Sequence, residues 1–430
     1  MNLDPVKRWK RTLRLKIAPA GSARDRWLRE QFRLWGKLQQ ASWREVALKV
    51  LPAGLQRSLR ETSRRRRIEA AQPYREQLAA LLKAHSDARR VIVFPPNLDW
   101  NVQLFQRPQQ LALALAEQGA LVFYLPPKPN PAKEAFQEFR PRLYLCNAPV
   151  ETFALLESPL IYLLTWNRVY AGVFRSPRII YDYVDDIRVF DGDYRQMVQD
   201  HERLVRDAYL VLTTAEPLYR ATRKLRPDVL LCPNGADYEH FAVARLQQAA
   251  PPDDMRAIVA RGNPVVGYYG ALAEWFDYRL VWEVARLRPD ISFVIIGPDY
   301  DGTLPPAFLD LTNVDWLGVK PYAELPHYLA YFDVAMVPFV VSEVTHAVSP
   351  LKLFEYMAGG KPVIVTPMHE STRYEGVLVA DTPESFSRKI DEALRLRRHP
   401  AYLQRIDAVA RANTWTSRAE QILTALDEIK

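Results

Sequence analysis

The sequence predicts an α/β protein made of two doubly wound, parallel-sheet domains behind a basic helical extension. Three observations carry this. From Val91 onward, short apolar runs alternate with helical stretches, the order that builds parallel sheets. A polar and alanine-rich stretch around Pro251 and Pro252 interrupts the alternation, which restarts at Pro264. Residues 1–90 show helical periodicity without strands. At 430 residues the chain also exceeds what one core usually supports.

Residues 1–90 read as a basic amphipathic helical extension. Trp27, Leu28, Phe32, Leu34 and Trp35, then Trp43, Val46, Ala47 and Val50, recur at helical spacing, broken near Pro52 and Gly54. Arg64 to Arg67 form an unbroken basic run, and a helix resumes from Tyr74 to Ala84. The segment holds 23 Lys and Arg against 8 Asp and Glu, while the remainder holds 35 against 42. Such a segment suits an anionic membrane surface, where each nearby cation contributes about 1 kcal/mol. The alternative is packing on the rest of the chain or on a second subunit, as an oligomer. Nucleic acid is not an expected partner, because no nucleic-acid motif accompanies the arginines. No apolar run reaches the roughly 18 to 20 residues of a membrane span, and no signal-peptide apolar region opens the chain. A cytoplasmic protein, peripheral at the inner face of the cell membrane, is expected.

Residues 91–243 form the first α/β domain. VIVFP is a strand, the loop NLDWNVQLF follows, and Arg107 opens a helix ending at Gly119. Further strands read ALVFYLP, RLYLC, PLIYLLT, RIIYDYV and YLVLTT, with helices from Asp193 to Asp207 and Glu216 to Leu225. VLLCPNGAD closes the run, its Asn234-Gly235 marking a tight turn. Cys146 and Cys232 lie far apart near strand ends and read as buried free thiols. The seven histidines are scattered, so no protein-built metal site is expected.

Residues 244–412 form the second domain. PVVGYYG is its first strand and turn, followed by a helix from Asp277 to Arg288, strands ISFVIIGP and VDWLG, a helix from Ala323 to Tyr331, and DVAMVPF. Gly267 and Gly270 make no G-x-G-x-x-G fingerprint, so a dinucleotide is not indicated. Helices from Pro383 to Arg397 and Pro400 to Ala412 finish the domain, and residues 413–430 form one more helix.

The informative stretch is HAVSPLKLFEYMAGGKPVIVT, His346 to Thr366. Ser349 is a good N-cap, Pro350 fits the first turn, and Leu351, Phe354 and Met357 recur at helical spacing. Lys352 and Glu355, three apart, share one face, and a cation in the first turn is disfavoured by roughly 0.3 to 1 kcal/mol. A phosphate at the helix start, on N–H groups near Leu351 and Lys352 and on the ammonium, would offset that. Glu355 can then accept from the paired hydroxyls of a ribose, and phosphate with ribose means a nucleotide. The other reading is an ordinary surface helix with a Lys/Glu pair.

SPLKLFEYMAGGKPVIVT resembles the donor-binding segment of glycosyltransferase family 4 enzymes of the GT-B fold, in the branch carrying an S-P-L-K-x-x-E-Y helix. The resemblance implies two Rossmann-like domains facing a cleft, the first binding an acceptor and the second a nucleotide-sugar donor. It also implies a last helix that returns to the first domain. The glutamate matching Glu355 holds the donor ribose, and the helix start matching Ser349 to Lys352 holds the diphosphate. Many members carry a second glutamate eight residues earlier, where this chain has Ala347, with Glu343 and His346 the polar neighbours.

Around that helix, Gly270 would let backbone approach a phosphate or sugar, or is a plain turn glycine. Lys320 and Tyr322 lie in the K-P-Y turn after VDWLG, where the resemblance places the nucleotide base, or that turn simply enters a helix; the family's basic pair for the diphosphate is not evident in Ala271 to Asp277, which leaves Lys320 and Lys352 for that role. In the first domain YDYVDDIR places carboxylates at a strand's C-terminal end, and Asp185 and Asp186 are candidates to accept or orient the acceptor's proton. Helix capping is the alternative for them. Arg107 is a third candidate catalytic group, and Trp100 and Trp166 either stack on sugars or pack. The resemblance implies a retaining, metal-independent hexosyl transfer from a UDP- or GDP-sugar to a glycan or lipid-linked acceptor, with no separate cofactor, in cell-surface polysaccharide synthesis. A catalytically inactive GT-B module binding a glycan or protein, and a nucleotide-sugar epimerase, are the alternatives.

Overall fold

Strands buried on both faces read as continuous apolar runs, and the chain carries two sets of them. The structure, a computed structural model, describes residues 67 and 69–429 apart from 103–104, 131, 191–192 and 247–249. The periodic stretches before residue 67, with the membrane-surface reading that rests on them, lie outside the described residues. Ala71–Lys430 form one compact unit.

Helix α1 (Arg75–Ala84) precedes strands β1 (Val91–Phe94), β2 (Leu121–Tyr124), β3 (Phe136–Arg140), β4 (Leu143–Cys146), β5 (Leu160–Leu164), β6 (Arg178–Tyr183), β7 (Leu210–Thr213) and β8 (Val229–Leu231). These form one sheet in the order β3-β4-β2-β1-β5-β6-β7-β8. Helix α2 (Arg107–Glu117) follows β1, α3 (Tyr194–Asp207) follows β6, and α4 (Glu216–Arg223) follows β7. Successive residues of β1 serve opposite faces. Val93 joins Phe123, Ile161 and Val211 in one core, and Ile92 and Phe94 join Tyr162, Leu164 and Leu212 in the other.

One edge departs from the all-parallel expectation. β3 runs antiparallel to β4. Only Pro141 and Arg142 separate them, too few residues for a crossover, and Arg142 takes the left-handed conformation that closes the turn.

The second sheet holds β9 (Val265–Tyr269), β10 (Ser292–Ile296), β11 (Val314–Trp316), β12 (Val334–Val337), β13 (Val363–Val365) and β14 (Val377–Val379), all parallel, in the order β11-β10-β9-β12-β13-β14. Helices α5 (Tyr278–Leu287), α6 (Leu351–Ala358), α7 (Pro383–Leu396) and α8 (Pro400–Ala412) surround it. Strand order reverses beside β1 in the first sheet and beside β9 in the second. Open α/β sheets bind ligands outside such reversal points, at the strands' C-terminal ends.

The last helix, α9 (Trp415–Glu428), packs on α2, with Ala419, Ile422 and Leu423 entering the first domain's core. The outgoing and returning chains therefore cross between the domains, and they do so side by side. Ala236 N–H donates to the Asn413 carbonyl at 2.9 Å, and Trp415 N–H donates to the Ala236 carbonyl at 3.2 Å. Gly235 serves this approach rather than a left-handed turn, since a Cβ there would lie 2.6 Å from the Thr414 carbonyl carbon.

Arg107 fixes the same junction. Its side chain is buried and its guanidinium donates to Asp182 through Nε (2.6 Å) and Nη2 (3.2 Å), to the Cys232 and Pro233 carbonyls, and to Asn234 Oδ1 (3.2 Å). Asp182, fully buried, also accepts from the Tyr162 hydroxyl. The expectation that Arg107 faces the acceptor is corrected here, because its donors are spent inside the first domain. Arg107→Ala leaves a buried carboxylate unpaired, so urea unfolding should show a loss of about 3 to 5 kcal/mol. An unchanged midpoint would count against this role.

Candidate functional site

At the second sheet's reversal point, β9 ends in Tyr269-Gly270 beside the start of α6. Gly270 has φ +145°, and a Cβ on it would overlap Lys352 Cε. The glycine therefore lets the Lys352 stem lie across the strand end. The ammonium sits 5.8 Å from the ring centres of Tyr268 and Phe339, and among the described residues no carboxylate lies within ion-pair distance of it. Burial pulls the Lys352 ammonium below its usual range, and Glu355 partly restores it.

Glu355, one turn along, is 3 % exposed. Burial raises its carboxyl to about 8, against the lowering effect of Lys352 and Tyr269 and with a further push from Asp237. Burial thus disfavours the charge of the glutamate and of the lysine alike, an arrangement suited to a ligand bringing both donors and negative charge.

The helix start differs from the sequence expectation. Ser349 does not cap α6: Pro350 occupies that position, and the Ser349 hydroxyl accepts from Asn234 N–H at 2.9 Å. Asn234 Nδ2 also donates to the Ser349 carbonyl at 3.2 Å. Leu351 N–H is taken by the Ser349 carbonyl, so among the described residues Lys352 N–H is the open donor of this first turn.

Lys320 stands apart from this group, paired with Asp254 at 2.5 Å and lying over the Tyr328 ring. Tyr322 does come close. Its ring stacks on His240 (4.8 Å), burial and then the nearby Glu355 push its phenol well above the usual range, and its hydroxyl receives a 2.8 Å hydrogen bond from Gln110 Nε2 of α2. That bond joins the two domains over Glu355.

On the first-domain side the two neighbouring aspartates separate in role. Asp186 accepts from Arg188 N–H and from both sides of its guanidinium, which holds its carboxyl below the usual range. Arg188 also reaches Glu343 in the second domain at 2.6 Å. Asp185 is raised to about 6 by burial, aided by Asp182 and opposed by Arg107. Ala347, where the family resemblance places a glutamate, is 3 % exposed and packed with the first domain's apolar core. His346 Nδ1 accepts from His369 N–H, and Glu343 supplies the interdomain charge instead.

Trp100 packs edge-on against Phe105, Tyr124 and Phe139. Trp166 is half-buried, its indole donating to Asn97 Oδ1 at 3.0 Å. Sequence reasoning missed Tyr269, Gln110 and Glu370. The first lies in the GYYG turn, and the second in the first turn of the helix that Arg107 opens. Glu370, fully buried, accepts from Glu216 N–H at the start of α4 in the other domain (2.7 Å), and nothing in its local sequence marks that partner.

Solved structures share this architecture. The chain superposes on sucrose-phosphate synthase from Thermosynechococcus elongatus with a TM-score of 0.60 at 16% identity, covering 79% of this chain and 98% of that one. HepE from Anabaena in complex with UDP-glucose gives 0.57 at 15%, covering 79% and 99%. The trehalose-6-phosphate synthase OtsA gives 0.60 at 12%, covering 79% and 99%. The protein has the GT-B fold. Residues 263–395, which include α6, match the family described as glycosyl transferases group 1. TuaH of Bacillus subtilis, named as a teichuronic acid biosynthesis glycosyltransferase, is 28% identical over 241 residues, 53% of this chain. The alignment spans 59% of that relative's length.

A raised carboxyl in the folded protein favours the protonated state there. Between the ordinary carboxyl value of 4.5 and about 8 the folded state therefore holds more protons at Glu355, and stability falls as pH rises through that window. Glu355→Gln, which keeps the shape and removes the ionisation, should be more stable than wild type at pH 9 and indistinguishable near pH 4.5. Equal denaturation midpoints at both pH values would refute the burial argument.

Proposed function

We propose that this chain is a glycosyltransferase moving a sugar from a nucleotide diphosphate to a glycan or lipid-linked acceptor, with retention, in the assembly of a cell-surface polysaccharide. The observation that carries the reading is the Lys352–Glu355 pair of α6, set under Gly270 at the reversal point, with Asp185 in the facing domain. Support comes from HepE, whose structures hold UDP-glucose or UDP and glucose, and from the name of TuaH. A UDP-sugar is the first donor to test, and a GDP-sugar the second.

Glu355 takes the ribose hydroxyls, while Lys352 and its own N–H take the diphosphate. Ser349 and Leu351 shape that helix start, and Tyr322 closes over the nucleotide. In the transfer, the bond from the anomeric carbon to the diphosphate oxygen breaks and its electron pair leaves with the diphosphate. Lys352 and the helix start stabilise that charge. The acceptor oxygen bonds to the same face of the carbon, and its proton passes to Asp185, whose carboxyl near 6 suits a base at neutral pH. Asp186, occupied by Arg188, acts by holding that cation toward Glu343.

Titration calorimetry and turnover separate these roles. Wild type should bind UDP or GDP at micromolar strength, and Glu355→Ala should lose at least about tenfold, the equivalent of one charged hydrogen bond. Asp185→Asn should keep that affinity and lose about 10² to 10⁴ in transfer rate. Absence of any nucleotide binding by folded protein would favour an inert binding module, and acceptor-free conversion to a new sugar epimer would favour an epimerase.

Residues 1–90 supply the basic arm in this proposal, bringing the enzyme to an anionic bilayer where a lipid-linked acceptor resides. Among the described residues no helix is long and apolar enough to cross a membrane. Deleting residues 1–70, which leaves the compact unit from Ala71 onward whole, should abolish sedimentation with phosphatidylglycerol vesicles while sparing nucleotide binding. Equal sedimentation by the truncated protein would reject the membrane role.

A further inference from the structure

Four tyrosines crowd the buried face of α6 and the end of β9, and their hydroxyls have different fates. Tyr268 donates to the Ala271 carbonyl at 2.9 Å. Tyr356 accepts from Tyr269 N–H at 2.9 Å. Tyr322 receives Gln110 at 2.8 Å. Only the Tyr269 hydroxyl among these is buried without completing a hydrogen bond of full geometry, its polar neighbour being the Glu355 carboxyl. Leaving such a group unsatisfied costs about 1 to 3 kcal/mol, so its position calls for an explanation.

That hydroxyl lies beside Glu355, near enough to lower its carboxyl, yet it completes a hydrogen bond of good geometry to no described protein group. The ring is fixed independently. It stands edge-on to Tyr356 at 4.7 Å and stacks with Phe241 at 6.0 Å. The hydroxyl is thus held in place by apolar contacts at its base, with its polar tip at the carboxylate assigned to the ribose.

We propose that Tyr269 is a positioning residue of the donor site, its hydroxyl donating to one ribose hydroxyl oxygen whose own proton is given to Glu355. This rests on the nucleotide-diphosphate reading of the site. The two side chains then form one unit, and the ribose gives the Tyr269 hydroxyl an acceptor of full geometry. A deoxyribose lacking the contacted hydroxyl gains nothing from Tyr269, so the residue also selects for ribonucleotides.

The test compares Tyr269→Phe with wild type, full-length, by calorimetry with UDP, 2′-deoxy-UDP and 3′-deoxy-UDP, or the GDP set if guanine is the base. The variant keeps both ring contacts and removes one atom. UDP affinity should fall about fivefold to tenfold, the value of one hydrogen bond to a neutral partner. The penalty should vanish for one of the two deoxynucleotides. A penalty identical for all three, or none for UDP, overturns the assignment and leaves the hydroxyl facing only a buried water. Tyr356→Phe is the control for a structural effect. Its hydroxyl serves backbone, so it should lower thermal stability without discriminating among the nucleotides; discrimination equal to that of Tyr269→Phe would overturn the proposal. If wild type binds none of them, the nucleotide reading itself fails, an outcome distinct from a silent Tyr269→Phe.

Discussion

Arg107 is gripped by Asp182 on one side and grips the chain leaving the first domain on the other. Because its remaining donors reach the Cys232 and Pro233 carbonyls and Asn234 Oδ1, the exit segment cannot drift. Asn234 in turn holds the hydroxyl and carbonyl of Ser349, the residue from which α6 sets out. A charge pair in one domain's core thereby sets where the other domain's ligand helix begins. A buried ion pair is a weak source of net stability, and its value here is directional.

The fold was legible because its signal is repetitive: apolar runs and helical stretches alternate twice, and no single residue decides the outcome. The β3–β4 edge escaped because FQEFR has no apolar face, its residues being mostly exposed, and because a two-residue turn gives little to read. Within the site, Lys352, Glu355 and Gly270 were legible as a group, since one helix face and one strand end bring them together. Arg107 and Ser349 were misread for a common reason. Their residue types suit the roles assigned to them, but partners distant in sequence, Asp182 and Asn234 among them, had already claimed their donors and acceptors. Sequence spacing cannot show a side chain that is already occupied.

The two carboxylates of the cleft illustrate how the same residue type is set to different tasks. Asp185 and Asp186 are adjacent, yet one is raised by burial and the other lowered by Arg188. Burial with Asp182 decides the first against the pull of Arg107, and Arg188, shared with Glu343 opposite, decides the second. Glu370 shows a third use, buried completely and spent on the start of a helix in the other domain.

The paired crossing at Ala236 and Thr414 has a kinematic consequence. One covalent tether between two bodies leaves several rotational freedoms, but two tethers hydrogen-bonded side by side behave as a short strap and leave chiefly a bending motion about it. Displacement in such a motion grows with distance from the axis. Asn234 lies two residues from the strap, so its grip on Ser349 scarcely changes as the halves part. The start of α6 therefore keeps its setting through the whole swing, and groups farther from the strap make the larger excursion.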